Sequence, residues 1–578
     1  MVAGVLVVPA LVAGAVGHFF MRPSFTPRAV PAEAAVVAVE TPPSRLVWPR
    51  GELPGLSCTQ AQAVMAVVRA RLPYAPTWPA SDEFAHDIGM WADPTGVWTS
   101  SSESEAALSK TAVVMTEALR AEHPRCSEHL PLSLALAERT ARLRADFDRG
   151  DDEAERRSRM ALYLNAHPEE REQLQSHLRN VLFPVKSIEE WDRVVYAAGL
   201  RALVRLSDAH SEWAPPEESS DATGQRLYAH ASMPMWDQVE PSILGAKVHA
   251  SSWPELHDGD EIVWVETPSK SRVYLAGLSP EQLEQVAVLA SQSDEPVRIM
   301  RGGDSGDTFG VITLSADQQP AKPPLDVSWL TTDAGDVPVL TLTDMYENVA
   351  DDVGTWLDAN TRAFDAPFAV LDLRGNGGGA VEPTLELLGL WLGDKPALPW
   401  TASLPSKGVV VELATAGERR WQVPVIALVD AQTASAAEML AGTLHAYGYA
   451  RLVGERTFGK GCMQEDVQLP AGITGTLSLT TSLYALPDGH TVQRAGLSPD
   501  QPYVFSQGPQ QRESETNHVP PSWHGPDVRP EGSSRRWATR KAVKRIEGCD
   551  GDAAVCGAVR AALKLSPRRL AAPRLPRP

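Results

Sequence analysis

Three short stretches of this 578-residue chain carry groups that could perform nucleophilic chemistry. In Val425–Gly448 the apolar run VIALV ends at Asp430, and a helical pattern starts beside Ala434-Ser435-Ala436-Ala437. A hydroxyl there sits at a helix N-terminus, where free N–H groups and the helix dipole favour developing negative charge. Taken alone such a serine is a helix cap, and a serine is a poor nucleophile without a base. His445 lies about three turns along the same helix, roughly 15 Å off, and no other histidine has a local cue. The stretch GERTFGKGCMQ offers a base instead. Lys460 stands between two glycines, which give its stem room to enter a cleft, and Gln464 presents both a carbonyl and an amide four residues on. A lysine, ordinarily near pKa about 10.4, is a base at neutral pH only where burial lowers that value. The pair therefore requires an apolar pocket without a neighbouring carboxylate. Read by itself, a lysine between glycines is a solvated turn residue.

The third stretch, VLDLRGNGGGAVEPTLELL from Val370, runs from a buried-type strand through glycines into a helix. Such glycines can bare backbone N–H groups for an oxyanion, or simply make a tight turn. Gly375-Asn376-Gly377-Gly378-Gly379-Ala380 also fits the GxGxxG/A dinucleotide fingerprint. That alternative, an oxidoreductase, is weakened by Asp394, the acidic residue at the right spacing: it follows a helix instead of ending a strand.

The elements that must position these groups fall into blocks. Residues 1–21 are apolar and read as a signal peptide or membrane anchor, followed by a Pro/Ala-rich linker at 22–55. From 56 to 236 apolar residues recur at three- and four-residue spacing, as in AQAVMAVVRARL and WDRVVYAAGLRALVRL, which predicts a helical domain. From 237 to 318 short β-like runs surround one capped helix with Ser279 at its N-cap. From 327 to 506 strands and helices alternate, the pattern of an α/β core. Residues 507–578 form a polar, Pro-rich and basic tail with a short helix near Ala553–Leu565. From Ser534 onward it holds 12 basic and 3 acidic residues, against a net charge of −20 for the chain. That balance argues against nucleic-acid binding. The five cysteines have no zinc-type spacing, so no metal is expected. In an exported chain Cys58 could pair with Cys126 and Cys549 with Cys556, leaving Cys462 odd; unpaired buried thiols are the alternative.

In this order the motifs resemble those of the C-terminal processing peptidases, in particular the tail-specific protease branch. The carrying segments are LDLRGNGGG, TASAAEMLAGTLHAYG, GERTFGKGCMQ and LTTSLYALPDGHTVQRAGLSPD; upstream, LSDAHSEWAPPEE and ILGAKVHA…GDEI are similar to the loop and PDZ domain of that family. The resemblance covers about Thr59–Phe505. It implies a multidomain α/β architecture: a ClpP/crotonase-like α/β protease core, a PDZ-like β-rich domain and a helical N-terminal domain. It implies a cofactor-free serine endopeptidase in which Ser435 attacks a peptide carbonyl, Lys460 takes and returns the proton, and Gln464 orients Lys460. The oxyanion hole would be the N–H groups of Ala436 and of Gly379, or else Gly378. An apolar substrate C-terminus would be captured at Leu244-Gly245-Ala246. Protein or peptide substrates with free C-termini are the implied partners, in the cell envelope, periplasmic or anchored facing the periplasm. An adaptor requirement stays open. The sequence departs from the family at Cys462, where a serine or threonine is usual, and at Ala209, where proline is usual. A non-catalytic PDZ scaffold on the same fold is the other reading.

Overall fold

The computed structural model describes residues 53–564 apart from internal stretches, the longer of which are 94–101, 149–162, 178–184, 216–237, 287–295, 302–307, 314–322, 402–407 and 506–511. The apolar segment 1–21, the linker up to residue 52, most of the helix expected after Ser279 and the tail beyond 564 lie outside the described residues. Among the described residues no helix is long and apolar enough to cross a membrane.

The first part of the described chain is helical and includes α1 Cys58–Arg71, α2 Ser81–Ala92, α3 Ser102–Arg120, α4 Pro131–Asp148 and α5 Ile188–Ser207. Their starts are encoded locally. Ser57 and Gln60 form a reciprocal capping box on α1, and Ser187 accepts from the Glu190 N–H on α5, each satisfying orphan donors of a first turn. Cys58 is disulfide-bonded to Cys126. Cys556 is also disulfide-bonded, whereas Cys462 is free and buried.

After α5 comes the short strand β1 Glu212–Ala214, and then six strands make a small sheet: β2 Gln238–Pro241, β3 Ala246–Ala250, β4 Glu261–Glu266, β5 Arg272–Tyr274, β6 Pro296–Arg301 and β7 Thr308–Thr313. Its order is β2-β3-β4-β6-β7, with β5 on β4. Ser279 and Gln282 cap one another reciprocally at 3.1 and 3.2 Å, as the sequence predicts for a helix start there. The expected boundary at 236/237 lies outside the described residues, and the described elements on its two sides share a core. Leu244, Val263, Trp264 and Tyr274 belong to the same apolar cluster as helices α1–α5. Buried Glu170 reinforces the join, accepting from Trp264 Nε1 at 3.0 Å and Arg298 at 3.2 Å, and from the Tyr163 hydroxyl. A buried carboxylate is tolerated only when paired this fully.

The larger sheet begins with the hairpin β8 Leu325–Thr332 and β9 Gly335–Leu342. Along the chain follow α6 Val349–Ala359, β10 Ala369–Asp372, α7 Val381–Leu392, the two-stranded arm β11 Pro396–Thr401 and β12 Val409–Leu413, then β13 Val425–Val429, α8 Ala436–Ala446, β14 Ala450–Gly454, β15 Cys462–Asp466, β16 Thr476–Leu483, β17 Gln501–Pro502, β18 Ile546–Cys549 and α9 Ala553–Ala562. The result is a mixed α/β layer with seven strands ordered β17-β14-β13-β10-β9-β8-β18. Strands β9, β10, β13, β14 and β17 run parallel to one another, and β8 joins β9 antiparallel. β10 and β13 are buried at every residue, which is why they read as continuous apolar runs: both faces are covered. One face packs with α6, α7 and α8 and the other with α9.

The chain beyond Gln507 is more than a polar tail. β18 pairs antiparallel with β8 and closes that edge of the sheet, and the Trp537 indole N–H donates to the Val425 carbonyl at 2.8 Å. Strands β15 and β16 form a separate three-stranded sheet with β1.

Candidate functional site

The three motifs emerge from the carboxyl ends of three neighbouring strands. β10 pairs with β13 and β13 with β14, all parallel. The glycine-rich turn follows β10, the Ser435 turn follows β13 and the Lys460 loop follows β14. The crevice beyond the carboxyl ends of parallel strands is where open α/β sheets assemble sites.

Ser435 is the N-cap of α8 with φ +52° and ψ −120°. Few non-glycine residues accept positive φ, and holding one there costs of order 1–3 kcal/mol. The surroundings enforce it. The Asp430 carboxylate accepts from the N–H groups of Gln432 and Thr433 at 3.0 and 2.9 Å, and from Gly375 at 3.1 Å. Thr433 Oγ1 donates to the Leu373 carbonyl at 2.8 Å, and Ala434 N–H to that of Asn376 at 2.9 Å. Two successive strand ends are thus stitched into one unit.

Glycine is required where the turn meets the serine. Gly378 has φ +110°, and a Cβ there would lie 2.7 Å from Ser435 Cβ; at Gly379, with φ +138°, it would lie 2.3 Å from the Met345 carbonyl oxygen. The two differ as donors. The Gly378 N–H donates to Asn376 Oδ1 at 2.9 Å, so it is committed. Among the described residues the N–H groups of Gly379 and Ala436 have no hydrogen-bond acceptor. The dinucleotide reading does not fit this geometry. Asp394 lies between α7 and β11, and β11 forms a two-stranded sheet with β12, outside the seven-stranded sheet. The fingerprint's acidic residue needs the end of the neighbouring parallel strand.

Glu438, three residues into the motif, joins Ser435 to Lys460. Its Oε2 accepts from Ser435 N–H at 3.0 Å and from Lys460 N–H at 2.9 Å; its Oε1 accepts from Gly459 N–H at 2.9 Å and from the Thr457 hydroxyl. Complete burial pushes its carboxyl up to about 8, against hydrogen bonds that all favour the carboxylate. The Tyr484 hydroxyl makes a second clamp, reaching the carbonyl oxygens of Lys460 at 2.8 Å and Ser435 at 3.1 Å. The two residues therefore share a carboxylate and a phenol through their backbones. Both are half-buried, and no hydrogen bond joins the Ser435 hydroxyl to Lys460 Nζ in this state.

Gln464 lies on β15, at a register shift opposite β16. Its amide N donates to Thr480 Oγ1 at 3.0 Å and approaches Cys462 Sγ at 3.2 Å. Burial pushes the Cys462 thiol up to about 12, with the Lys460 charge acting the other way. At the small sheet, Leu244 and Ala246 are fully buried, and the Gly245 N–H donates to the Ser242 carbonyl and hydroxyl, each at 3.1 Å. β3 is paired on one edge by β2 and on the other by β4.

Sequence reasoning passed over Asn376, Asp430, Glu438, Thr457 and Tyr484. All five stand inside the quoted stretches, and Glu438 carries a local signal: an acidic residue three positions after a helix N-cap reaches back to the cap N–H. Tyr484 had none, since only β16 folding back brings it to the serine.

Comparison with known proteins bears on this region. Residues 336–503 match peptidase family S41. The carboxyl-terminal-processing protease of Picosynechococcus sp. is 38% identical over 132 residues, which is 23% of this chain and 31% of that protein. Carboxyl-terminal-processing peptidase 3, chloroplastic, of Arabidopsis thaliana is 38% identical over 136 residues, 24% of this chain and 26% of that protein. The matches thus span under a third of those relatives' length. Among solved structures, the photosystem II D1 C-terminal processing protease is 20% identical, with a TM-score of 0.37, covering 57% of this chain and 86% of that one.

Proposed function

We propose that the chain, whose residues 336–503 match peptidase family S41, is a serine endopeptidase of the C-terminal processing type with a Ser435–Lys460 dyad. The observation that carries the proposal is the shared clamp: one carboxylate oxygen of Glu438 takes the N–H groups of both residues. Ser435 attacks the scissile carbonyl and Lys460 accepts its proton, then returns it to the leaving amine; water releases the acyl group from Ser435. The uncommitted N–H groups of Ala436 and Gly379 stabilise the tetrahedral oxyanion. Gln464 orients Lys460. No cofactor enters these steps.

The small sheet is the candidate PDZ-like module, and helices α1–α5 the candidate N-terminal domain. Capture of an apolar C-terminus at Leu244-Gly245-Ala246 would use strand addition. Because β2 occupies one edge of β3 and β4 the other, the incoming peptide has to displace β2. The disulfides support an exported chain working in an oxidising compartment, which is where a cell-envelope protease would act.

The test is cleavage of an unstructured protein ending in apolar residues by wild type, Ser435→Ala and Lys460→Ala. Wild type cleaves and both variants lose at least about a thousandfold in kcat/KM. Binding of the same protein without cleavage by wild type would favour the scaffold reading.

A further inference from the structure

Behind Lys460 three remote segments bring together a group that the peptidase reading does not use. His210 comes from the loop after α5 and Cys462 opens β15, two residues past Lys460. Glu513 opens a short turn in the C-terminal segment. One ligand-type atom from each lies within 4.8 Å of the other two. His210 Nε2 is 2.9 Å from Glu513 Oε1 and 3.2 Å from Oε2. Cys462 is 2% exposed and Glu513 wholly buried. We propose that His210, Cys462 and Glu513 form a binding site for a divalent metal ion of the zinc class, a role separate from peptide hydrolysis.

The donor set points to that class. Thiolate and imidazole select borderline-soft ions over magnesium or calcium. Bond lengths of about 2.0–2.3 Å to nitrogen, oxygen and sulfur put tetrahedral ligands roughly 3.3–3.7 Å apart. Binding requires His210 and Glu513, now 2.9 Å apart, to part slightly and Cys462, within 4.8 Å of both, to complete the set. Charge also balances, because a thiolate, a carboxylate and a neutral imidazole cancel a dication in a buried place where net charge is costly. An outer layer is present as well: Gln493 Nε2 donates to Glu513 Oε1 at 2.7 Å and Gln464 Nε2 reaches Cys462 Sγ at 3.2 Å, the kind of contact that orients metal ligands. Three protein ligands leave a fourth position for water. Cysteine spacing could not reveal this site, since its ligands come from three segments far apart in sequence.

The experiment uses untagged, full-length protein stripped with chelator and dialysed against Zn2+ or Co2+. Cys462 is the free thiol of the described residues, so a thiolate-to-cobalt charge-transfer band reports it specifically. The expected result is one metal per chain, the cobalt band, and at least tenfold weaker zinc binding in both Cys462→Ser and Glu513→Gln. Cys462→Ser keeps a family-like residue, and an unchanged melting temperature in chelator verifies its fold. Absence of a cobalt band, or zinc binding unaltered by Cys462→Ser, overturns the proposal whatever the peptidase activity proves to be.

Discussion

The backbone N–H groups of Ser435 and Lys460 donate to the same oxygen of Glu438, at 3.0 and 2.9 Å. A serine following one strand and a lysine following the next are thereby fixed through their backbones to one carboxylate oxygen. The clamp makes Glu438 a positioning residue. Glu438→Ala leaves the N–H groups of Ser435, Gly459 and Lys460 and the Thr457 hydroxyl without their acceptor, at about 1–3 kcal/mol of stability for each buried donor left unsatisfied, and is expected to cost at least a hundredfold in kcat. Denaturant midpoints and steady-state kinetics measure the two effects.

Glu438 also sets a pH dependence. Its folded-state carboxyl is raised from 4.5 to about 8. A raised acid binds its proton more tightly when folded, so its contribution to stability is complete below about 4.5 and is lost as pH rises through about 8. Denaturation midpoints of wild type should decline across that window relative to Glu438→Gln, which cannot titrate. Parallel profiles for the two proteins would contradict the assignment.

Tyr484 supplies the second clamp through its hydroxyl alone. Tyr484→Phe keeps the ring in the core and removes the one donor that the Ser435 and Lys460 carbonyls share. The expected loss is about 1–3 kcal/mol, read as a lower kcat with little change in KM.

Much of this site was legible in the sequence because each motif is local. The glycine-rich and serine motifs each run from a buried strand through a turn into a helix within about twenty residues, the Lys460 motif joins two strands, and burial on both faces makes the central strands continuous apolar runs. The spatial partners were not legible. Tyr484 meets Ser435 only because β16 returns from the β15 hairpin, and Glu513 reaches His210 from beyond the recognisable core. The tail illustrates the same limit. Its polar, proline-rich composition reads as a loop, yet β18 takes a sheet edge and Trp537 ties to the central strand β13. Backbone pairing at an edge leaves little mark in side-chain hydropathy.

That placement predicts the effect of truncation. A chain ending after Phe505 bares the β8 edge and the face covered by α9, so it is expected to be insoluble or unfolded although it retains every quoted motif. Within the full chain, Trp537→Phe removes only the indole donor to Val425 and should cost about 1–3 kcal/mol, seen as a lower melting temperature.

The Cys58–Cys126 bridge closes a loop across a sequence separation of 68 residues. Constraint of the unfolded chain by such a loop amounts to about 4 kcal/mol. Cys58→Ser with Cys126→Ser should lower the denaturation midpoint accordingly while leaving the cleavage rate of the folded enzyme unchanged, since the bridge lies in the helical region.

The central claim concerns the covalent step. Wild type and Lys460→Ala are mixed with an activated peptidyl ester, quenched in acid after one turnover and weighed by intact-protein mass spectrometry, with the adduct located by peptide mapping. Wild type should carry one acyl group on Ser435, and Lys460→Ala should carry almost none. An adduct on another residue, or equal acylation of Lys460→Ala, would contradict the Ser435–Lys460 dyad.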